Sequence, residues 1–125
     1  MTERKTVAVL GASADRAKFG NKSVRAHQQA GYDVYPINPR GGEIEGLAVY
    51  RTLAEVPVKL DRISVYLPPE RVVPALDEIA AKGCDELWLN PGTTDAEVVT
   101  RAKELNLRPT LGCSIVDLGI SPSTL

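Results

Sequence analysis

Small and basic residues are concentrated in one segment of the sequence, residues 11–22, directly after a short apolar run. Residues with little or no side chain let a phosphate group approach backbone N–H groups closely, and basic residues add full positive charges. The residues with this potential are Gly11, Ala12, Ser13, Ala14, Arg16, Lys18 and Lys22. A helix that begins near the end of the segment would add the partial positive charge of its N-terminus. The segment therefore predicts a pyrophosphate cradle, and the alternative is a surface turn that only leads into the helix.

An arginine follows the second apolar run, in the sequence Asn38-Pro39-Arg40. NAD-binding domains usually place an Asp or Glu here, which binds the ribose hydroxyl groups. The guanidinium group of Arg40 instead suits a phosphorylated ribose, as in NADP or in coenzyme A with its 3′-phosphate. The loop after the first run also departs from the pattern G-x-G-x-x-G, because Ser13 and Arg16 occupy the second and third glycine positions. We expect Pro39 and Arg40 to contact a phosphorylated nucleotide; the alternative for Arg40 is a solvated turn residue.

Two further loops combine proline, asparagine and glycine. The third apolar run ends in Leu67-Pro68-Pro69, a rigid apolar stretch on which an adenine ring could lie flat; alternatively, Pro69 serves only to start a helix. The fourth run ends in Asn90-Pro91-Gly92, which offers open backbone before another predicted helix. The residues expected to line a site here are Leu67, Pro68, Asn90, Pro91 and Gly92.

Five short apolar runs, rich in β-branched residues and bounded by Gly, Pro or Asn, predict buried strands. They cover residues 7–10, 34–37, 63–67, 87–89 and 109–111. Helical spacing predicts helices at 21–30, 71–82 and 95–105, a short helical turn at 53–56, and a small hairpin or irregular excursion at 41–50. Alternation of apolar strands with helices indicates an α/β fold, a three-layer Rossmann-like doubly wound parallel sheet of about five strands. Ligands bind such sheets beyond the carboxyl ends of the strands, where the four loops would meet.

Local signals predict where the helices begin. Thr52 with Glu55 and Thr94 with Glu97 each fit the capping box, in which a hydroxyl and a carboxylate bind free N–H groups at a helix start. Pro74 is expected in or near the first turn of its helix, because a proline deeper inside would remove a hydrogen bond.

Composition limits the classes of function. The 125 residues fit one domain, residues 1–125, and 15 Lys+Arg against 16 Asp+Glu leave a net charge of −1. We therefore expect no nucleic-acid partner and no binding to an anionic membrane. Residues 1–5 are polar and the apolar stretch at 6–10 is too short for a signal peptide, so we expect a cytoplasmic protein with Cys84 and Cys113 as reduced thiols. The tail, residues 112–125, is expected to be poorly ordered.

No group of residues predicts catalysis. The single histidine, His27, falls near the sheet-facing side of the first predicted helix, and we expect it to pack rather than to react. Trp88 lies inside a predicted strand and is expected in the core. The sequence contains no Ser-His-Asp set, no metal-ligand cluster and no P-loop lysine, so a non-catalytic protein is favoured.

Four features taken in order resemble the CoA-binding domain family, which includes stand-alone bacterial proteins and the N-terminal domain of the succinyl-CoA synthetase alpha subunit. They are VAVLGAS at 7–13, GYDVYPINP at 31–39, LPPE at 67–70 and LWLNPG at 87–92, and the match runs from about Thr6 to Asp117. The resemblance implies that residues 13–16 approach the CoA phosphates, that Arg40 contacts the nucleotide and that residues 90–92 line the far wall. The ligase relatives also need a second domain with a phosphorylated histidine, which the sequence does not contain, so we expect no ligase activity.

Three functions follow from these observations. The favoured one is a non-catalytic protein that binds coenzyme A or acyl-CoA as a small-molecule ligand. An NADP-binding redox protein or sensor is the first alternative, because Arg40 would serve it equally well. The second is a Rossmann scaffold without a ligand that acts as an interaction module, and a homo-oligomer or an unknown protein partner is compatible with all three.

Overall fold

The computed structural model describes residues 4–125, so residues 1–3 of the polar N-terminal segment lie outside it. Five parallel strands form the main sheet: β1 (Thr6–Leu10), β2 (Asp33–Ile37), β5 (Arg62–Val65), β6 (Glu86–Leu89) and β7 (Thr110–Leu111). Two short strands, β3 (Glu43–Ile44) and β4 (Leu47–Ala48), pair as an antiparallel hairpin, which is one of the two possibilities expected for residues 41–50. The order β2-β1-β5-β6-β7 reverses direction at β1, which opens a crevice at its carboxyl end.

Four helices cover the two faces of the sheet, which confirms the predicted fold class. They are α1 (Phe19–Gln29), α2 (Pro69–Lys82), α3 (Ala96–Glu104) and α4 (Ser114–Asp117). The helices α2 and α3 contact each other on one face, and α1 and α4 contact each other on the opposite face. No helix within residues 4–125 has the length and apolar character needed to cross a membrane.

Alternating strand residues divide the core into two clusters, one on each face of the sheet. Ala8, Leu10 and Ile63 pack under α2 and α3, whereas Val7 and Val9 pack under α1. All five are at most 8 % exposed. Because both faces are buried, these strands read as continuous apolar runs in the sequence.

Two of the predicted helix starts are wrong. The N-cap of α3 is Asp95, whose carboxylate accepts a hydrogen bond from the Val98 N–H at 2.9 Å, so Thr94 does not form the predicted capping box. Asp is a favoured N-cap residue, and Asp95 is one residue closer to the helix than Thr94, so its carboxylate accepts the free N–H group. Helix α2 begins at Pro69, which places Pro74 beyond the first turn; the carbonyl that its missing N–H leaves free belongs to the exposed Glu70. The capping box of Thr52 and Glu55 is confirmed.

The C-terminal segment is more ordered than predicted. Ser114 and Ile115 in α4 are fully buried, and the Ser114 N–H donates to Asn90 Oδ1 at 2.9 Å. A buried N–H group needs a partner, and the Ser114 N–H finds it in Asn90. This bond and the Gly112 N–H bond to the Leu89 carbonyl hold the start of α4 against the sheet. Trp88 is partly exposed rather than part of the core, since only the four-residue α4 covers the sheet near this edge.

A buried polar cluster lies between β5, α1 and α4. The Arg62 guanidinium is 4 % exposed and pairs with Asp117 at 2.7 Å and Glu86 at 3.0 Å. His27 packs beside it and donates from Nδ1 to the Ser23 carbonyl at 2.8 Å. Burial lowers the pKa of His27 to about 4, so this side chain is neutral at pH 7. As expected from the sequence, His27 has a packing role, away from the carboxyl edge of the sheet.

Candidate functional site

A groove runs along the carboxyl edge of the sheet, across the ends of β2, β1, β5 and β6. Its central part, here called the central groove, has a volume of about 470 Å³ and is lined by Gly11, Ala12, Ser13, Lys18, Asn38, Pro39, Arg40, Tyr66 and Arg71. This volume lies within the usual range for small-molecule sites. Gly11 also borders two extensions: the α2 arm, which includes Leu53 and Pro74, and the Phe19 arm, which includes Phe19 and Pro91.

Two glycines make the floor of the groove possible. Gly11 has φ +91°, and a side chain there would clash with the backbone carbonyl of Tyr66. Gly20, in the first turn of α1, lies against the carbonyl of Gly11, and a Cβ atom at Gly20 would overlap this oxygen. The close helix–strand contact that the third glycine of the dinucleotide fingerprint provides is thus made here by Gly20, nine positions after Gly11.

Free backbone N–H groups lie along the loop after β1 and the start of α1, at the central groove, its side pocket and the Phe19 arm. Within residues 4–125, the N–H groups of Ser13, Ala14, Phe19 and Gly20 donate to no protein acceptor. Lys18 is the N-cap of α1 and makes no side-chain capping bond, so the start of this helix lacks the usual protein acceptor. Such N–H groups, together with the helix dipole, favour an anion in this position.

Three cationic side chains converge on the central groove. Lys18, Arg40 and Arg71 line it, and no carboxylate does. In the described part of the chain none of the three forms an ion pair. The protein carries a net charge of −1, so this local concentration of uncompensated positive charge makes the central groove a candidate anion site.

The other predicted basic residues lie outside the groove. Arg16 pairs with Glu45 at 3.5 Å, and its carbonyl accepts a hydrogen bond from Arg25. The Lys22 ammonium lies over the ring of Phe19, 5.1 Å from the centroid. Neither lines the central groove or its arms. The sequence showed their proximity to the loop, but their partners come from α1 and the β3–β4 hairpin.

Most of the remaining predicted residues line the arms or a side pocket of the groove, and one lies beneath it. Ala14 lines a side pocket next to Arg40, whereas Pro39 and Leu67 line the α2 arm. Three predicted residues line the Phe19 arm: Pro68, Pro91 and Gly92. Asn90 lies beneath the groove instead of lining it, because both of its amide atoms are bonded inside the protein.

Sequence reasoning missed Arg71, Tyr66 and Gly20. Arg71 stood at the predicted start of a helix, and a basic residue in the first turn after a central strand was the available signal. Tyr66 was placed inside a predicted strand at 63–67, but β5 ends at Val65, and Tyr66 turns into the loop. Burial raises the pKa of Tyr66, so its phenol is protonated at pH 7.

Comparison with known proteins identifies the family of this fold and groove. The family model described as "CoA binding domain" matches residues 5–119, nearly the whole chain. The protein belongs to the CoA-binding domain family. The relationship predicted from the four sequence features is therefore confirmed, and the crevice at the carboxyl edge is where such a fold binds its ligand.

Named relatives of this CoA-binding domain include enzymes and uncharacterised proteins. Subunit alpha of the ADP-forming acetate–CoA ligase I of Pyrococcus furiosus is 30 % identical over 97 % of this chain, which spans only 29 % of the ligase subunit. YneT of Bacillus subtilis, an uncharacterised protein, is 26 % identical over 80 % of this chain and 74 % of its own length.

Solved structures show the same architecture. A conserved hypothetical protein from Pyrococcus furiosus superposes with a TM-score of 0.82 and 32 % identity, and the match covers 92 % of this chain and 99 % of that chain. A dinucleotide-forming acetyl-coenzyme A synthetase of Ca. Korarchaeum cryptofilum superposes with a TM-score of 0.73 and 29 % identity, over 84 % of this chain and 25 % of that chain. The fold therefore occurs both in chains of this size and within much longer enzymes.

Proposed function

We propose that the protein is a non-catalytic, cytoplasmic binding protein for coenzyme A or acyl-CoA. The observation that carries the proposal is the central groove, where Lys18, Arg40 and Arg71 converge without a carboxylate. Coenzyme A carries a pyrophosphate and a 3′-phosphate, so its nucleotide end presents several negative charges to such a groove. Family membership supports the same ligand.

The proposal assigns the pyrophosphate to the start of α1. The free N–H groups of Ser13, Ala14, Phe19 and Gly20 would donate to phosphate oxygens, and Lys18 would add a full charge. Arg40, at the end of the neighbouring strand β2, would bind the 3′-phosphate of the ribose. The apolar residues of the α2 arm, which include Ile37, Leu53 and Pro74, would take the adenine ring.

Chemistry on the ligand is not part of the proposal. Within residues 4–125 the central groove is lined by no histidine, cysteine or carboxylate, and Tyr66 keeps its proton because its pKa is raised. A groove of this composition can hold phosphates, but it offers no general base that could activate a water molecule for attack on a thioester. We therefore do not propose the ligase activity of the longer relatives for this chain.

Isothermal titration with CoA, NADP and NAD tests the proposal. We expect CoA to bind, and Lys18→Ala and Arg71→Ala each to weaken binding by about tenfold, which corresponds to ~1.4 kcal/mol. Arg108→Ala is the matched control, because Arg108 is exposed and lines neither the central groove nor its arms. Binding of NADP without CoA would replace the proposal by a redox protein, and binding of none of the three by a scaffold without a ligand. An equal loss in Arg108→Ala would reduce the interaction to general electrostatics.

A further inference from the structure

A closed network of buried hydrogen bonds lies directly beneath the groove. It joins three side chains from different elements: Ser64 in β5, Asn90 after β6 and Ser114 at the start of α4. All three residues are at most 1 % exposed. Tyr66, which lines both the central groove and the Phe19 arm, bonds to this network through its hydroxyl group.

Fixed backbone partners determine the orientation of the Asn90 amide. Its Nδ2 donates to the Val65 carbonyl at 2.8 Å, and its Oδ1 accepts from the Ser114 N–H at 2.9 Å. A carbonyl can only accept and an N–H can only donate, so the amide cannot be reversed. The second Nδ2 hydrogen donates to Ser64 Oγ at 2.9 Å. Asn90 therefore has no donor left for a ligand.

The direction of the remaining bonds follows from this orientation. Ser114 Oγ donates to Asn90 Oδ1 at 3.1 Å, which uses its single hydrogen. It must then accept from Ser64 Oγ at 2.7 Å and from the Tyr66 hydroxyl at 3.0 Å. Ser114 is thus the acceptor of the Tyr66 phenol, and each hydroxyl hydrogen of the network has one partner.

We propose that Ser114 is a positioning residue for the ligand, which acts by fixing Tyr66. No residue of α4 lines the central groove or its arms, yet through this bond α4 would set the wall between the phosphate cradle and the Phe19 arm. Helix α4 is itself anchored, because Asp117 pairs with the buried Arg62. The inference rests on the proposed function, since it assigns a second layer of support to the same CoA site.

A double-mutant cycle on Ser114→Ala and Tyr66→Phe tests this inference. Each single variant is expected to weaken CoA binding by about fivefold, because a buried hydroxyl loses its partner or its position. Ser114→Ala in the Tyr66→Phe background should weaken binding no further, although it should still lower Tm, because Ser64 and Asn90 also lose a partner. Val98→Ala is the control: it is fully buried in α3, outside the groove lining, and should lower Tm with an unchanged Kd.

The outcomes separate the two proposals. An unchanged Kd for Ser114→Ala in a folded protein would overturn the positioning role, and so would the same fivefold loss in the Tyr66→Phe background. Tyr66→Phe keeps the test decisive if Ser114→Ala does not fold, because a full-affinity Tyr66→Phe variant would also refute it. A wild-type protein that does not bind CoA would refute the proposed function, and the positioning role with it.

Discussion

Arg40→Ala tests how the nucleotide is recognised. The turn at Arg40 is held by its backbone N–H, which donates to Asn38 Oδ1 at 2.8 Å, and the exposed side chain lines the central groove without an ion pair in residues 4–125. The substitution therefore removes a charge and breaks no side-chain hydrogen bond or ion pair within residues 4–125. We expect the free energy of unfolding to change by less than about 0.5 kcal/mol.

The expected loss of affinity follows from the exposure of the side chain. A hydrogen bond to a charged group contributes about 1.5–3 kcal/mol, and the exposed position of Arg40 favours the lower end of this range. Because ~1.4 kcal/mol corresponds to a tenfold change, the Kd for CoA should rise about tenfold. If Arg40 binds the 3′-phosphate, the Kd for dephospho-CoA should change by less than about twofold, since that ligand lacks the group.

Titration of both ligands into wild type, Arg40→Ala and Arg108→Ala completes the assay, with Tm measured for each protein. Equal losses for CoA and dephospho-CoA would refute the assignment to the 3′-phosphate and place Arg40 at the pyrophosphate. An unchanged Kd for both would refute the interpretation of Arg40 as a phosphate ligand. The loss for CoA should also shrink at high salt, because exposed charges are screened.

Three further predictions concern the scaffold. Gly20→Ala should abolish CoA binding and cost about 1–3 kcal/mol of stability, because its Cβ overlaps the Gly11 carbonyl; wild-type affinity in calorimetry would contradict the close contact. As the pH falls from 6.5 to 4, His27 becomes protonated in the unfolded chain while it stays neutral in the folded protein. The free energy of unfolding should therefore fall by about 3 kcal/mol over this range. In a series of urea denaturations at different pH values, His27→Gln should remove this dependence. Asp95→Ala should cost about 1 kcal/mol in thermal unfolding, and Thr94→Ala less than half of that; the reverse order would restore the capping box at Thr94.

The strands could be predicted from the sequence because both faces of the sheet are buried. Residues of β1 alternate between the two clusters, and Ile63 and Val65 of β5 belong to one of them, so these strands appear in the sequence as short, largely apolar runs between turn signals. The alternation with helices then predicted the parallel sheet, and the loops after its strands predicted the edge that carries the groove. Family membership followed from the same loops, and the comparisons confirmed it.

Errors arose where the choice between neighbouring residues depended on tertiary contacts. Thr94 and Asp95 both suit an N-cap, and only the observed geometry of α3 shows that Asp95 takes the position. The tail was expected to be poorly ordered because it is terminal and ends in a Ser-Pro-Ser segment, but Ser114 is buried and its N–H donates to Asn90, 24 residues away. Contacts of this range leave no local pattern.

The sequence alone determined the fold class, the edge of the sheet that carries the site, and Arg40 as a candidate phosphate ligand, because these depend on order along the chain. Tertiary structure decided which charges are free. Arg16 is paired with Glu45, whereas Lys18 and Arg71 approach Arg40 from two different helices. Charge is visible in a sequence, but whether a charge is neutralised depends on side chains that folding brings within a few ångströms of it.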